Sequence, residues 1–174
     1  MKFSANYFIR TERLGMRPWW DGDLELAYGL WGDERVTALI GGPFTQAQIR
    51  ERLCAEIEAD RAQGVQHWPV FRLSDDLHVG CCGLRPYQGS KDVLELGCHI
   101  RFEHWRQGYA AEAARGVVQY ALEKLGAREL FVGHHPNNHA SERVIKKLGF
   151  EYVQHELFPA TGLMHPSYRL KKSG

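Results

Sequence analysis

The chain has 174 residues and a mass of 19.9 kDa, with 22 Lys and Arg against 21 Asp and Glu. Hydrophobic residues make up 44% and charged residues 25%, too apolar for a disordered chain and enough for one core without disulfide or metal staples. The net charge of +1 argues against nucleic acid and anionic membrane surfaces as partners, because both demand clustered Lys and Arg.

Residues 1–14 hold no apolar run long enough for a signal peptide, and no stretch approaches the roughly 20 apolar residues of a membrane span, so a cytoplasmic protein is expected. Residues 11–17 alternate around Leu14 and Met16 and stop at Pro18, which predicts an opening strand. Leu24, Ala27, Leu30 and Trp31 recur at helical spacing behind Asp21 and Asp23, either of which can cap the helix. Thr45 with Gln48 is a capping-box pair, Ile49, Leu53 and Ile57 follow at steps of four, and Gly64 stops that helix. Its acidic residues Glu51, Glu56, Glu58 and Asp60 are expected on the solvated face. From residue 67 to 100 the period shortens to that of strands. Segments 67–73, 79–85 and 93–100, separated by turn-forming SDD and QGSKD, predict a three-stranded antiparallel meander.

A long helix is predicted over 108–125, with Ala110, Ala113, Ala114, Val117, Val118, Ala121, Leu122 and Leu125 as its apolar stripe and Gly126 closing it. Residues 129–132 read as a short buried strand. Asn138 opens a further helix with Ala140, Val144, Ile145 and Leu148 apolar, and Gly149 before Phe150 fits a left-handed cap. Strands over 151–158 and 167–171 complete a mixed α/β chain, read as a single domain over 1–174. Cys54, Cys81, Cys82 and Cys98 form no CxxC pair and are expected to be reduced and mostly buried, with Cys81 and Cys82 on opposite faces of a strand.

The chemistry concentrates in residues 94–114, LELGCHIRFEHWRQGYAAEAA. A strand runs into a turn around Gly108 and then into a helix, whose first amides have no intrahelical partner and suit a phosphate or pyrophosphate. Arg106 can add a charge-assisted contact, although Gly108 also suits an ordinary strand–helix turn. There is no GxGxxG and no GK[ST]. On a strand, Glu95, Gly97 and His99 share one face, either a catalytic wall or simply the solvated side of a sheet. Asn138 and Ser141 suit helix capping as well as ligand contact, and Glu112 suits the helix dipole. His134, His135 and His139 lack a completing carboxylate or cysteine, so no metal is expected.

The run Trp105-Arg-Gln-Gly108-Tyr-Ala110-Ala-Glu112-Ala resembles the acyl-CoA-binding motif of the GNAT superfamily of N-acetyltransferases, most closely its RimJ/RimL-like branch. Three further segments match in order: Thr11-Glu12-Arg13-Leu14 with Met16-Arg17-Pro18, Glu95-Leu96-Gly97, and Asn138-His-Ala-Ser141 with Lys147-Leu-Gly149-Phe150. Trp105 and Arg106 replace the general family's usual Gln or Arg and Gly, and Cys98 stands where the branch often has an aromatic residue.

The resemblance implies an α/β (α+β) GNAT fold, a strongly bent, mixed, largely antiparallel sheet flanked by helices, with the ligand wedged where the family's fourth and fifth strands splay. It implies acetyl-CoA as co-substrate, its pyrophosphate on the amides of Arg106, Gln107, Gly108, Tyr109, Ala110 and Ala111. Its pantetheine arm would run beside Cys98, His99 and Ile100, with Asn138 and Ser141 near CoA. A backbone N–H near Cys98 or His99 would polarise the thioester carbonyl. Glu95 is the expected general base with His99 the alternative, and Ser141 can protonate the leaving thiolate or orient CoA. Trp19, Trp20 and Trp31 lie near the first helix, where the resemblance puts part of the acceptor pocket; they suit core packing, and an exposed member can line the acceptor site. The implied reaction is direct acetyl transfer in a ternary complex to a primary amine, a protein N-terminus or a small molecule, by a monomer or homodimer. The alternative is a non-catalytic acyl-CoA-binding or regulatory domain.

Overall fold

Strand alternation and helix-stop glycines resolve into one eight-stranded sheet and five α-helices in this computed structural model, which describes residues 6–173. In chain order they are β1 (Ile9–Arg10), β2 (Leu14–Met16), α1 (Leu24–Trp31), α2 (Glu34–Thr37), α3 (Gln46–Gln63), β3 (His67–Arg72), β4 (Leu77–Pro86), β5 (Val93–Ile100), α4 (Tyr109–Glu123), β6 (Glu129–Gly133), α5 (His139–Lys147), β7 (Glu151–Phe158) and β8 (Leu163–Lys171). The sheet order is β1-β2-β3-β4-β5-β6-β8-β7, and every neighbouring pair is antiparallel except β5 with β6. That parallel pair needs a crossover, and α4 supplies it.

Alternation along the strands gives the sheet two covered faces. Cys82, Leu84, Leu94, Leu96 and Leu130 pack with Ala113, Val117 and Ala121 of α4 and Ile145 of α5 in the larger core. Cys81 faces the other way, among Trp31 of α1 and Ile49, Leu53 and Ile57 of α3. Glu95, Gly97 and His99 share that second side, because they pair across from Arg85, Gly83 and Cys81. The expected opposition of Cys81 and Cys82 is therefore observed, while Cys54 is exposed rather than buried.

The Thr45–Gln48 capping box closes α3 with both reciprocal bonds, and Gly64 ends it at φ 71°, where a Cβ would be strained. Gly149 at φ 88° ends α5 with Phe150 buried beyond it, as the spacing predicts.

Several expectations change. The opening strand is a short hairpin, because Thr11 turns the chain and its hydroxyl accepts from the Leu14 N–H at 3.1 Å. Asp23 occupies the N-cap position of α1, but its carboxylate accepts from Arg17 and Trp20 instead of the helix. The one-turn helix α2 was not predicted. Helix α4 ends at Glu123, leaving Leu125 38% exposed, and β8 begins four residues early despite Pro166. Glu56 is the largest correction: it is 1% exposed on the inward side of α3, held there by partners distant in sequence.

Candidate active site

Strands β5 and β6 pair over only three positions, Val93 with Glu129, Leu94 with Leu130 and Glu95 with Phe131. Beyond Glu95 they part, since β6 continues only against β8. The β6-facing edge of residues 96–100 is left as open main chain, able to accept an extended ligand as an added strand. Trp105 fastens the end of that edge, donating from Nε1 to the Ile100 carbonyl at 2.8 Å.

The following turn places Arg106 at φ 61° and Gly108 at φ 79°, with Arg106 and Gln107 exposed and Tyr109 buried. Gly108 gives α4 no side-chain cap, so the amides that open α4, from Tyr109 through Ala110 and Ala111, remain available to an anion. Glu112 does more than face the dipole. It accepts from the Thr11 hydroxyl at 2.6 Å, from the Arg13 N–H at 2.8 Å and from Arg13 Nε at 2.7 Å, while Arg13 Nη1 donates to the Gln107 carbonyl. Burial pushes the Glu112 carboxyl up, and the Thr11 and Arg13 bonds outweigh it, leaving it below its ordinary value. The anion turn is thus lashed to the β1–β2 hairpin.

Asn138 caps α5, its Oδ1 accepting from the Ser141 N–H at 3.0 Å, while the Ser141 hydroxyl bonds to no described residue. His134 is spoken for by the His135 carbonyl and the Tyr168 hydroxyl, and His139 lies beside Glu142. Among the described residues no three His, Cys, Asp or Glu side chains cluster as metal ligands, and no helix is long and apolar enough to cross a membrane.

On the α1/α3 side, Glu95 is half-buried with no hydrogen bond or ion pair to a described residue. Burial raises its pKa, Arg85 across the strand pair pulls it down and Glu156 pushes it up, with a net rise. His99 is different. Its Nδ1 faces the Trp31 indole N–H at 3.2 Å and the Cys81 thiol at 3.7 Å. Burial, then the Arg52 charge, drives its pKa well below the usual imidazole value. The gap at Gly97 is filled by His67, since a Cβ there would lie 2.6 Å from its Cε1. The His67 imidazole is likewise pushed well below its usual value, by burial first and Arg85 next.

Glu56 organises this wall from below. It accepts from the His67 N–H at 2.8 Å and forms an ion pair with Arg85. Trp19 and Trp31 are buried, whereas Trp20 is 64% exposed and donates to Asp23. Gly41, at φ 98°, approaches Ala160 so closely that a Cβ would lie 2.8 Å from its carbonyl oxygen. The α2–α3 loop therefore meets the β7–β8 hairpin on this side of the sheet.

The structure brings Glu95, Gly97 and His99 onto one wall and puts Cys98 and Ile100 beside the open edge. Sequence reasoning missed His67, Glu56, Arg85, Arg52, Thr11 and Arg13 as neighbours of the site. For Arg52 and Glu56 a signal existed: with Ile49, Leu53 and Ile57 they complete an i, i+3, i+4, i+7, i+8 stripe.

An uncapped helix start beside an open strand edge fits a ligand with a phosphate group and an extended amide arm. A sequence profile described as an acetyltransferase (GNAT) domain matches residues 13–151. The chain is 30% identical to YkkB of Bacillus subtilis (strain 168) over 86% of this chain and 88% of that protein. It is 27% identical to the N-acetyltransferase YoaA of the same organism over 82% of each. Its fold matches RimL, a ribosomal alpha-N-protein acetyltransferase solved with coenzyme A, with a TM-score of 0.79, 12% identity and coverage of 92% of this chain and 95% of that one.

Proposed function

The chain belongs to the GNAT acetyltransferase family and is an acetyl-CoA-dependent acyltransferase, and we propose that it acetylates a primary amine directly, in a ternary complex. The observation that carries this reading is the β5–β6 splay opening beside the uncapped start of α4, with Glu95 at the point of divergence. We also assign the chain to the RimJ/RimL-like branch, on the four ordered motifs and the likeness of fold to RimL.

In this reading acetyl-CoA supplies the thioester. The amides of residues 106–111 hold its pyrophosphate, and the open edge at Cys98, His99 and Ile100 binds its arm through main-chain hydrogen bonds. A main-chain N–H at Cys98 or His99 stabilises charge developing on the carbonyl oxygen. The amine nitrogen forms the new C–N bond as the C–S bond breaks. Glu95 takes the amine proton, directly or through water, and the Ser141 hydroxyl donates a hydrogen bond to the departing sulfur, which leaves as a thiolate and takes its proton from water. Two features favour Glu95 over His99: its carboxylate is not engaged by any described residue, and the His99 Nδ1 lone pair faces the Trp31 N–H.

The test is free-thiol release from acetyl-CoA across a panel of amines and N-terminal peptides. Acceptor-dependent turnover is expected, and E95Q should lower it by about 10²- to 10⁴-fold with CoA affinity nearly unchanged. Binding without turnover across the panel would favour the non-catalytic acyl-CoA-binding alternative. Full activity of E95Q would remove Glu95 as base.

A further inference from the structure

Helix α3 presents a stripe to the sheet that contains two charges, Arg52 and Glu56, among Ile49, Leu53 and Ile57. Glu56 is fully answered by Arg85 and the His67 N–H. Arg52 is not. Its Nε is buried without a hydrogen-bond partner, and no carboxylate lies within ion-pair distance of it among the described residues. The guanidinium instead stacks 5.0 Å from the Trp31 ring centre and 5.4 Å from that of Phe44. Two aromatic faces return part of the cost of desolvating this half-buried cation, and Glu56 is near enough to favour its charge without pairing with it, so the guanidinium can still meet a further anion.

Arg52 also adjoins the wall of Glu95, Gly97 and His99. The Trp31 ring beneath it is the one whose N–H faces His99, and Arg52 is close enough to depress that imidazole. The remaining charges around this space are Arg85 on β4, engaged by Glu56, Glu95 on β5, and Glu156 on β7, which accepts from Tyr87. Glu51 and Glu58 are exposed on the far side of α3. Of Glu56, Glu95 and Glu156, Glu95 alone has no hydrogen-bond or ion-pair partner among the described residues, so a polycationic acceptor would find little to pair with.

Resting on the acetyl transfer to amines proposed above, we infer that Arg52 forms an anion subsite of the acceptor cleft and that the acceptor amine also carries a carboxylate. Free amino acids and peptides with an acidic side chain both have this chemistry. Their amine is then delivered to Glu95 while their carboxylate completes Arg52.

Acceptor pairs that differ in the carboxylate, compared at equal concentration of unprotonated amine, test this: amino acids against their carboxamides, and short peptides carrying Asp or Glu against Asn or Gln. The wild-type protein should favour the anionic member in kcat/KM by about tenfold or more, the scale of a charge-assisted hydrogen bond. The pair that shows the preference identifies the free amino acid or the acidic peptide. R52Q should bring the ratio towards one, and R52E should invert it. A packing role alone would lower stability without moving the ratio. Equal rates on both members in the wild-type protein, or an unchanged ratio in R52Q, would overturn the subsite. Should no amine release thiol, the acetyl-transfer reading fails separately, and the subsite is judged by melting temperature with CoA present. The same anionic compounds should then stabilise the wild-type protein more than their amides and R52Q no more than their amides; no difference in the wild-type protein overturns it.

Discussion

Glu95 combines partial burial with a like charge at Glu156 and an opposite charge at Arg85, and its raised pKa is the sum of those environments. A base must be ionised to accept a proton, so kcat/KM should fall on the acid side through a pKa above the ordinary carboxylate range. Removing the Glu156 charge favours the ionised form, and E156Q should move this acid limb to lower pH. R85Q should move it to higher pH. A pH–rate profile of the three proteins reads both signs, and unmoved limbs would dissociate Glu95 from the titration. The types and spacing of Glu95, Gly97 and His99 were legible in the strand period. Their neighbours Arg85, His67 and Glu56 were not, because antiparallel register and helix packing bring them together across 11 to 29 residues of chain.

At the scale of elements, the site is two strands forced apart and a helix start held in place. The clamp of Thr11 and Arg13 on Glu112 joins the β1–β2 hairpin to α4 across about a hundred residues. Arg13 is partly solvated, so the ion pair by itself contributes little, and the two further hydrogen bonds carry most of the effect. E112A should weaken CoA binding several-fold and cost about 1–3 kcal/mol of stability. Titration calorimetry with CoA and urea unfolding check the two effects. At Gly97 the constraint is contact: a Cβ would press on the His67 ring, so G97A should destabilise by about 1–3 kcal/mol, measured by denaturant midpoint. Capping boxes and glycine stops made α3 and α5 legible because they are local chemistry. The early end of α4 and the early start of β8 are set by packing and pairing with distant segments.

For the whole molecule, the imidazoles give a pH signature. His67, His78 and His99 all have folded pKa values driven down, first by burial and next by neighbouring guanidinium charges, His78 to about 3. The unfolded chain therefore binds protons that the folded chain refuses as pH falls below about 6.5. Stability should be full above that pH and decline below it, at up to roughly 1.4 kcal/mol per pH unit for each imidazole. Melting temperatures between pH 7.5 and 5 check this; a flat profile would contradict the burial of these rings. What the sequence determined by itself is the order of the longer helices and strands, the turn at Gly108 and the four motifs of the family, since periodicity, caps and turn chemistry act within a few residues. Only the tertiary structure decided where β5 and β6 separate, that Glu56 turns inward to hold Arg85, and that no described carboxylate pairs with Arg52. Those outcomes depend on which side chains meet across the sheet, and charge pairing between distant residues leaves no period in the chain.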